Sequence, residues 1–253
     1  MDYAQRIDAV AAELSAIVSA VAAGDPSARV PTCPDFSLDD LAAHVGEFCG
    51  FYSHVLCEGT GRPKTPYSTE VDPEGRAAWL AELAGHLVTE LRAAGPEQEV
   101  WTWHPTDHTA TFVARRANHE TAIHRVDAQL AATGVAAEVA PAALAADGIE
   151  EVFMLATAAA ADPRTASRRE TDALHGQTLR LEATDHEAAA WLIRLDARGM
   201  QAAARGTGPA DLTLRGTVSD LEMTLYQRPA RGPLERIGDP AVLDLFYREF
   251  TFA

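Results

Sequence analysis

The sequence predicts an α+β fold, in which an antiparallel four-helix bundle (residues 1–135) precedes a smaller α+β domain (residues 136–253). Two observations support this. Apolar residues recur at helical spacing in four long segments before Gly134, whereas the segments after it include runs that alternate with the period of a β-strand. The length of 253 residues also fits two domains, because domains commonly contain about 100–200 residues.

The four predicted helices cover about residues 3–23, 38–58, 73–94 and 109–132. The first shows the pattern most clearly, with apolar positions three or four apart at Ile7, Val10, Ala11, Leu14, Ile17, Val18 and Val21. Ser37 stands where an N-cap is expected, and Asp40 follows three residues later. We predict loops over residues 30–36 and 59–71, where Pro, Gly, Thr and Ser accumulate. Four successive helices in this order predict the bundle.

The second domain is predicted from shorter signals. Residues 136–146 are rich in Ala and Pro and predict a linker, and a short helix follows near residues 147–161. Three strands are expected at residues 178–183, 190–195 and 211–216, where apolar and polar residues alternate or apolar residues run together. Two further helices are expected at about 217–226 and 240–246. Strands mixed with helices in about 100 residues predict a small α+β unit.

Composition limits the partners and the location. The net charge of −16 repels phosphate groups, so we expect neither a nucleic-acid partner nor an anionic membrane surface. No stretch reaches about 18 uncharged apolar residues, and the N-terminus lacks the apolar run of a signal peptide. The chain has three cysteines, Cys33, Cys49 and Cys57, and such a small, odd number argues against a disulfide framework. We therefore expect a soluble cytoplasmic protein.

The fourth predicted helix carries a candidate metal site. Glu120 and His124 are four residues apart, so a helix places their side chains on one face with Cβ atoms roughly 6 Å apart. His119 lies about 100° further round the helix and cannot join that face. The zinc-protease motif HExxH requires a second histidine four residues after the first, but that position is Ile123. The sequence therefore excludes the protease interpretation and leaves a carboxylate and an imidazole on one face.

A third ligand is expected from the second helix. His44 has apolar helical neighbours at Leu41, Phe48 and Phe51, so its imidazole faces the bundle, where it needs a polar partner or a metal. Two histidines and one glutamate leave a coordination position open, as in catalytic zinc sites. The alternative is that His44 is a core histidine and that Glu120 and His124 form a surface pair.

Asp127 follows His124 by three residues and has two interpretations. Its carboxylate could orient the imidazole of His124 from behind. It could equally form a salt bridge with Arg116 or Arg125. The sequence alone leaves both open.

Four sequence motifs resemble those of a known family. Residues 31–37 (PTCPDFS) with residues 40–46 (DLAAHVG), and the segment that begins at Arg116 and ends at Ala128, are similar to the two N-terminal signatures of the mycothiol-dependent maleylpyruvate isomerase family. Residues 145–151 and 215–221 resemble its C-terminal domain. The resemblance covers nearly the whole chain. It implies a DinB-like metal-binding bundle in which His44, Glu120 and His124 bind zinc.

The resemblance also implies chemistry. Mycothiol would act at the metal as a thiol cosubstrate and attack a small electrophilic molecule, giving either an isomerase or a thiol S-transferase. A basic residue of the C-terminal domain would approach the substrate, and Arg215 and Arg228 are the candidates. The ligand set suits zinc first but also other divalent ions such as nickel. The alternative function is a non-catalytic protein that binds a metal or small ligand on the same scaffold.

Overall fold

The computed structural model describes residues 1–59, 61–62, 71–135, 140–161, 175–186, 190–196, 199–204 and 208–249. The chain divides into two compact units, Met1–Glu138 and Val139–Ala253. The first is mainly helical and the second combines helices with a sheet, so the predicted α+β class is confirmed. The predicted boundary at residues 135 and 136 borders residues 136–139, which lie outside the described residues, and it stays a prediction.

Four long helices make up most of the first unit: α1 (Tyr3–Ala23), α2 (Leu38–Glu58), α3 (Pro73–Ala94) and α4 (Ala110–Thr133). Each lies within one residue of its predicted bounds. Ser37 caps α2 as expected, because its hydroxyl accepts the backbone N–H of Asp40 while the Asp40 carboxylate accepts the N–H of Ser37. Gly134 ends α4 in a left-handed conformation with φ of 74°, which glycine adopts without strain.

The four helices pack around a common apolar core. Helix α1 packs against α3 and α4, and α2 packs against the same two helices. The largest fully buried side chains of this core are Leu14, Ile17, Leu38, Leu41, Leu80, Leu87 and Leu91. Helices α2 and α3 approach closely at Gly46, where a Cβ would lie 2.1 Å from the ring of Trp79. A side chain at that position would require the Trp79 ring to move.

A short β-hairpin replaces the loop predicted over residues 30–36, so that prediction was wrong. Strand β1 (Arg29–Val30) pairs antiparallel with β2 (Cys33–Ser37), and Pro31 and Thr32 form the turn. Strands of two and five residues are too short to show an alternating pattern. Strand β2 runs directly into α2, so the hairpin sets where that helix begins.

The second unit is built on a five-stranded sheet with the order β5-β4-β3-β6-β7. The strands are β3 (His175–Ala183), β4 (Ala190–Asp196), β5 (Gly199–Ala204), β6 (Leu212–Gly216) and β7 (Glu235–Gly238). Strands β3 and β6 run parallel, and the other neighbours run antiparallel. The described residues of this unit also form three helices: α5 (Ala142–Ala161), α6 (Val218–Leu225) and α7 (Ala241–Glu249).

Most elements of this unit agree with the prediction, with two corrections. Strands β5 and β7 were not predicted, and α5 begins at Ala142 rather than near residue 147. Part of the predicted linker is therefore helical, as the high helix propensity of Ala favours. The remainder includes residues 136–139, outside the described residues. Within the described parts of the chain, no helix is both long and apolar enough to cross a membrane.

Candidate metal centre

The structure brings the three predicted ligands together. His44 projects from α2, Glu120 and His124 project from α4, and one ligand atom of each lies within 4.8 Å of the others. Both imidazoles point a ring nitrogen at the same carboxylate oxygen. The distance from Oε1 of Glu120 is 3.1 Å to Nε2 of His44 and 3.3 Å to Nε2 of His124.

These distances fit a shared metal ion. Two ligands bound at about 2.0–2.1 Å with a tetrahedral angle lie roughly 3.3 Å apart, close to the two measured separations. Imidazole nitrogen and carboxylate oxygen are also the donors that zinc and similar divalent ions take. The donor chemistry of the three residues, and the two separations from Glu120, are therefore compatible with a shared divalent metal.

Glu120 is held as an ionised carboxylate. Its side chain is only 12% exposed, and the guanidinium of Arg116, one helical turn earlier, pairs with its second oxygen Oε2. Burial by itself would raise the pKa of Glu120, but the Arg116 charge and the hydrogen bonds from His124 and His44 hold this pKa well below its ordinary value. Arg116 thus occupies Oε2 and leaves Oε1 facing the two imidazoles.

His124 is held from behind by Asp127. Nδ1 of His124 lies 3.0 Å from Oδ2 of Asp127, which is completely buried. This contact supports the orienting role for Asp127 over the salt-bridge alternative, since Arg116 pairs with Glu120 and Arg125 pairs with Glu13. Burial opposes the charged imidazole, yet the hydrogen bonds to Asp127 and Glu120 raise the pKa of His124 to about 9. A hydrogen on Nδ1 keeps Nε2 directed at the cluster.

His44 occupies the more accessible side of the cluster. Its side chain is 36% exposed, whereas that of His124 is 8% exposed. The ring of Phe36, at the end of the hairpin, lies 5.8 Å from the His44 ring. The cluster is therefore more exposed to solvent beside His44 than on the α4 side.

Other residues considered from the sequence take different positions. His119 is buried on α4 but does not belong to the cluster found among the described residues. In the second unit, Arg215 is half exposed and pairs with Glu182 and Glu235. Arg228 is buried and donates to the backbone oxygen of Tyr226.

Thr32 is the contact that sequence reasoning missed. Its hydroxyl donates to Oδ1 of Asp127 over 2.5 Å, across 95 positions of the chain. The only available signal was its place in the PTCPDFS motif, since a loop threonine has no helical spacing from which to predict a partner.

The fold and this cluster together define a class of protein: a chain whose helical unit holds a two-histidine, one-carboxylate cluster and is followed by a separate α+β unit. Residues 7–129 match the family model of the mycothiol maleylpyruvate isomerase N-terminal domain. The helical unit therefore matches the N-terminal domain model of this family, which supports the resemblance seen in the motifs. Residues 155–230 match the model of the SCP-2 sterol transfer family.

Two solved structures share the fold over most of the chain. The crystal structure of the mycothiol-dependent maleylpyruvate isomerase is 16% identical with a TM-score of 0.63, and that of a histidine-to-alanine mutant is 14% identical with a TM-score of 0.64. Each comparison covers 93% of this chain and 93% of the other. At this identity the likeness establishes the fold alone. No curated protein sequence matches the chain.

Proposed function

We propose that this protein is a metal-dependent enzyme that uses a low-molecular-weight thiol, mycothiol, to isomerise or conjugate a small electrophilic substrate. The observation that carries the proposal is the convergence of His44, Glu120 and His124 on one point that is more exposed to solvent on the His44 side. The match of residues 7–129 to the mycothiol maleylpyruvate isomerase N-terminal domain supports the choice of thiol.

The three side chains would hold one divalent ion, with zinc as the first expectation. A metal ion in this cluster supplies a lowered pKa for a coordinated thiol, and hence a thiolate at neutral pH. The chain's own groups prepare the site. Arg116 keeps Glu120 ionised, Asp127 turns Nε2 of His124 inward, and the buried α4 side limits water.

Two reactions follow from such a thiolate. In isomerisation, sulfur adds to a carbon–carbon double bond conjugated with a carbonyl, the resulting single bond rotates, and the carbon–sulfur bond breaks again. The thiol is then regenerated. In S-transfer, the carbon–sulfur bond persists and one thiol is consumed for each product molecule. The concentration of free thiol therefore distinguishes the two reactions.

The alternative is a non-catalytic protein that binds a metal or small ligand. It stays open because identities of 14% and 16% do not carry the activity of the solved enzymes to this chain. The two proposals share the metal and differ in whether a thiol changes its coordination.

A cobalt-substituted sample titrated with mycothiol tests the proposal. We expect one equivalent of metal per chain and a thiolate-to-cobalt absorption band that saturates with thiol. Maleylpyruvate serves as the first substrate probe. An absorption band without turnover of maleylpyruvate would support thiol binding at the metal and reject maleylpyruvate as the substrate. Bound cobalt that gives no band with thiol would favour the non-catalytic alternative.

Matched histidine variants on α2 provide the control. His44→Ala should abolish the band, whereas His54→Ala should keep it, because His54 pairs with Glu58 at 2.6 Å outside the cluster. Loss of metal in both variants would show that the assay reports damage to α2 rather than coordination.

We further propose a cytoplasmic location without nucleic-acid partners. The cysteines Cys33, Cys49 and Cys57 are in no disulfide bond, as is usual in a reducing compartment, and the net charge of −16 repels phosphate backbones.

A further inference from the structure

The hairpin turn before α2 contacts the metal cluster through a buried carboxylate. Thr32 lies in the two-residue turn between β1 and β2, and its hydroxyl donates to Oδ1 of Asp127 at 2.5 Å. The Thr32 hydroxyl donates to Asp127 and not to His44, Glu120 or His124. Its effect on the cluster must therefore pass through Asp127.

Asp127 connects the turn to a metal ligand. Its side chain is completely buried, Oδ1 accepts from Thr32, and Oδ2 lies 3.0 Å from Nδ1 of His124. A carboxylate fixed through both oxygens has a fixed plane, and the imidazole bonded to it has a fixed ring direction. Partners of this kind commonly change metal affinity by about 10–100-fold when they are removed.

The same hydroxyl also links the two helices that supply the ligands. Strand β2 continues without interruption into α2, which carries His44 twelve residues after Thr32, while Asp127 belongs to α4 together with Glu120 and His124. The Thr32–Asp127 bond therefore fastens the start of α2 to the ligand-bearing part of α4.

We infer that Thr32 is a positioning residue of the metal site: it acts through Asp127 to fix the direction of His124 and the approach of α2 to α4. This inference rests on the proposed metal-dependent function. It assigns to the hairpin turn a role that is separate from folding, namely to set how tightly the site holds its metal.

Three threonine variants test this role. Thr32→Val removes the hydroxyl and keeps the shape, Thr32→Ser keeps the hydroxyl, and Thr89→Val is a control on α3, where the hydroxyl donates only to the backbone oxygen of Gly85 within one helix. The measurements are the zinc dissociation constant by competition with a chromophoric chelator, and the visible spectrum of the cobalt form.

We expect Thr32→Val to raise the zinc dissociation constant by about tenfold and to alter the cobalt spectrum. Thr32→Ser and Thr89→Val should stay within about twofold of the unchanged protein, well below that outer-shell effect. A purely structural role would lower the unfolding midpoint of Thr32→Val with an unaltered spectrum and dissociation constant, and this result would overturn the inference. If Thr32→Val does not fold, Thr32→Ala removes the same hydroxyl and is judged by the same criteria.

A double variant shows whether the effect passes through Asp127. In an Asp127→Ala background, adding Thr32→Val should change zinc affinity by less than it does alone, because the connection is already broken. Full additivity would contradict the inference. Zinc binding to the unchanged protein separates the two proposals: no binding there rejects the proposed function, whereas normal binding with an unaffected Thr32→Val rejects only the role of Thr32.

Discussion

Two stretches of α4, residues 110–117 and 120–127, differ in character. The first contributes Ala110, Val113, Ala114 and Ala117 to the apolar core, whereas the second contributes Glu120, His124 and Asp127 to a charged cluster. Burying apolar surface stabilises a fold, but burying charged groups costs free energy unless each finds a partner. The comparison indicates that the first stretch serves packing, and that the charged stretch depends on the partners of its side chains.

The largest expected effect concerns the charged stretch of α4, residues 120–127. His124→Ala should weaken zinc binding by a hundredfold or more, because it removes one of three ligands, while far-UV circular dichroism remains close to that of the unchanged protein. His54→Ala is the matched control. Global unfolding of His124→Ala would instead show that the cluster is needed for folding, and the two stretches of α4 would then serve the same purpose.

The apolar core should respond in the opposite way. Leu87→Ala on α3 deletes a completely buried side chain and should lower the free energy of unfolding by about 2–5 kcal/mol. The folded protein should still bind one equivalent of zinc. Urea denaturation and metal analysis of the same sample check this. Loss of zinc from a Leu87→Ala protein that is still fully folded would show that core and cluster are not independent.

Removing Arg116 sharpens the comparison, because it leaves Glu120 buried and charged. Arg116→Met should destabilise the metal-free protein by about 3 kcal/mol. The zinc-loaded protein should lose less, since the metal offsets the carboxylate charge. Urea denaturation with and without zinc measures both values. Arg92→Met, which breaks an exposed pair with Asp8, is the control and should cost under about 1 kcal/mol. Equal losses with and without zinc would contradict this expectation.

The smallest expected effect is a pH dependence of the metal-free protein. Burial of His124 lowers its pKa, but the hydrogen bonds to Asp127 and Glu120 raise this pKa to about 9. The stabilising charge on His124 is therefore fully present below pH of about 6.5. This contribution should disappear as the pH rises through about 9, with a loss of at most about 3 kcal/mol. Unfolding free energies at pH 6.5 and 9.5, compared with His124→Gln, test it. A variant with the same pH dependence would assign the effect to another group.

The sequence predicted the bundle well because long helices carry strong periodic signals. The four helices of the first unit span more than twenty residues each, so apolar spacing, capping residues and helix-breaking residues all indicate the same bounds. The pairing of Glu120 with His124 was predictable for the same reason, since helical spacing is a geometric rule. His44 required only the additional inference that an imidazole among apolar neighbours faces inward.

Other features depend on distant contacts that no local pattern encodes. The hydroxyl of Thr32 meets Asp127 across 95 positions, and the two-residue strand β1 has no period to detect. Strand β5, with the sequence GMQAAA, lacks the β-branched and aromatic residues that favour strands, and forms by pairing with β4. The four residues of β7 are all exposed, so burial gives no alternation.

Because the two imidazoles differ in exposure, the cluster has an accessible side at His44 and a buried side at His124. Solvent and small solutes meet His44 first, whereas His124 is screened by its own helix and anchored by Asp127. Under the proposed function, an incoming ligand would therefore approach the metal past His44, while Arg116 and Asp127 hold Glu120 and His124 in place on α4.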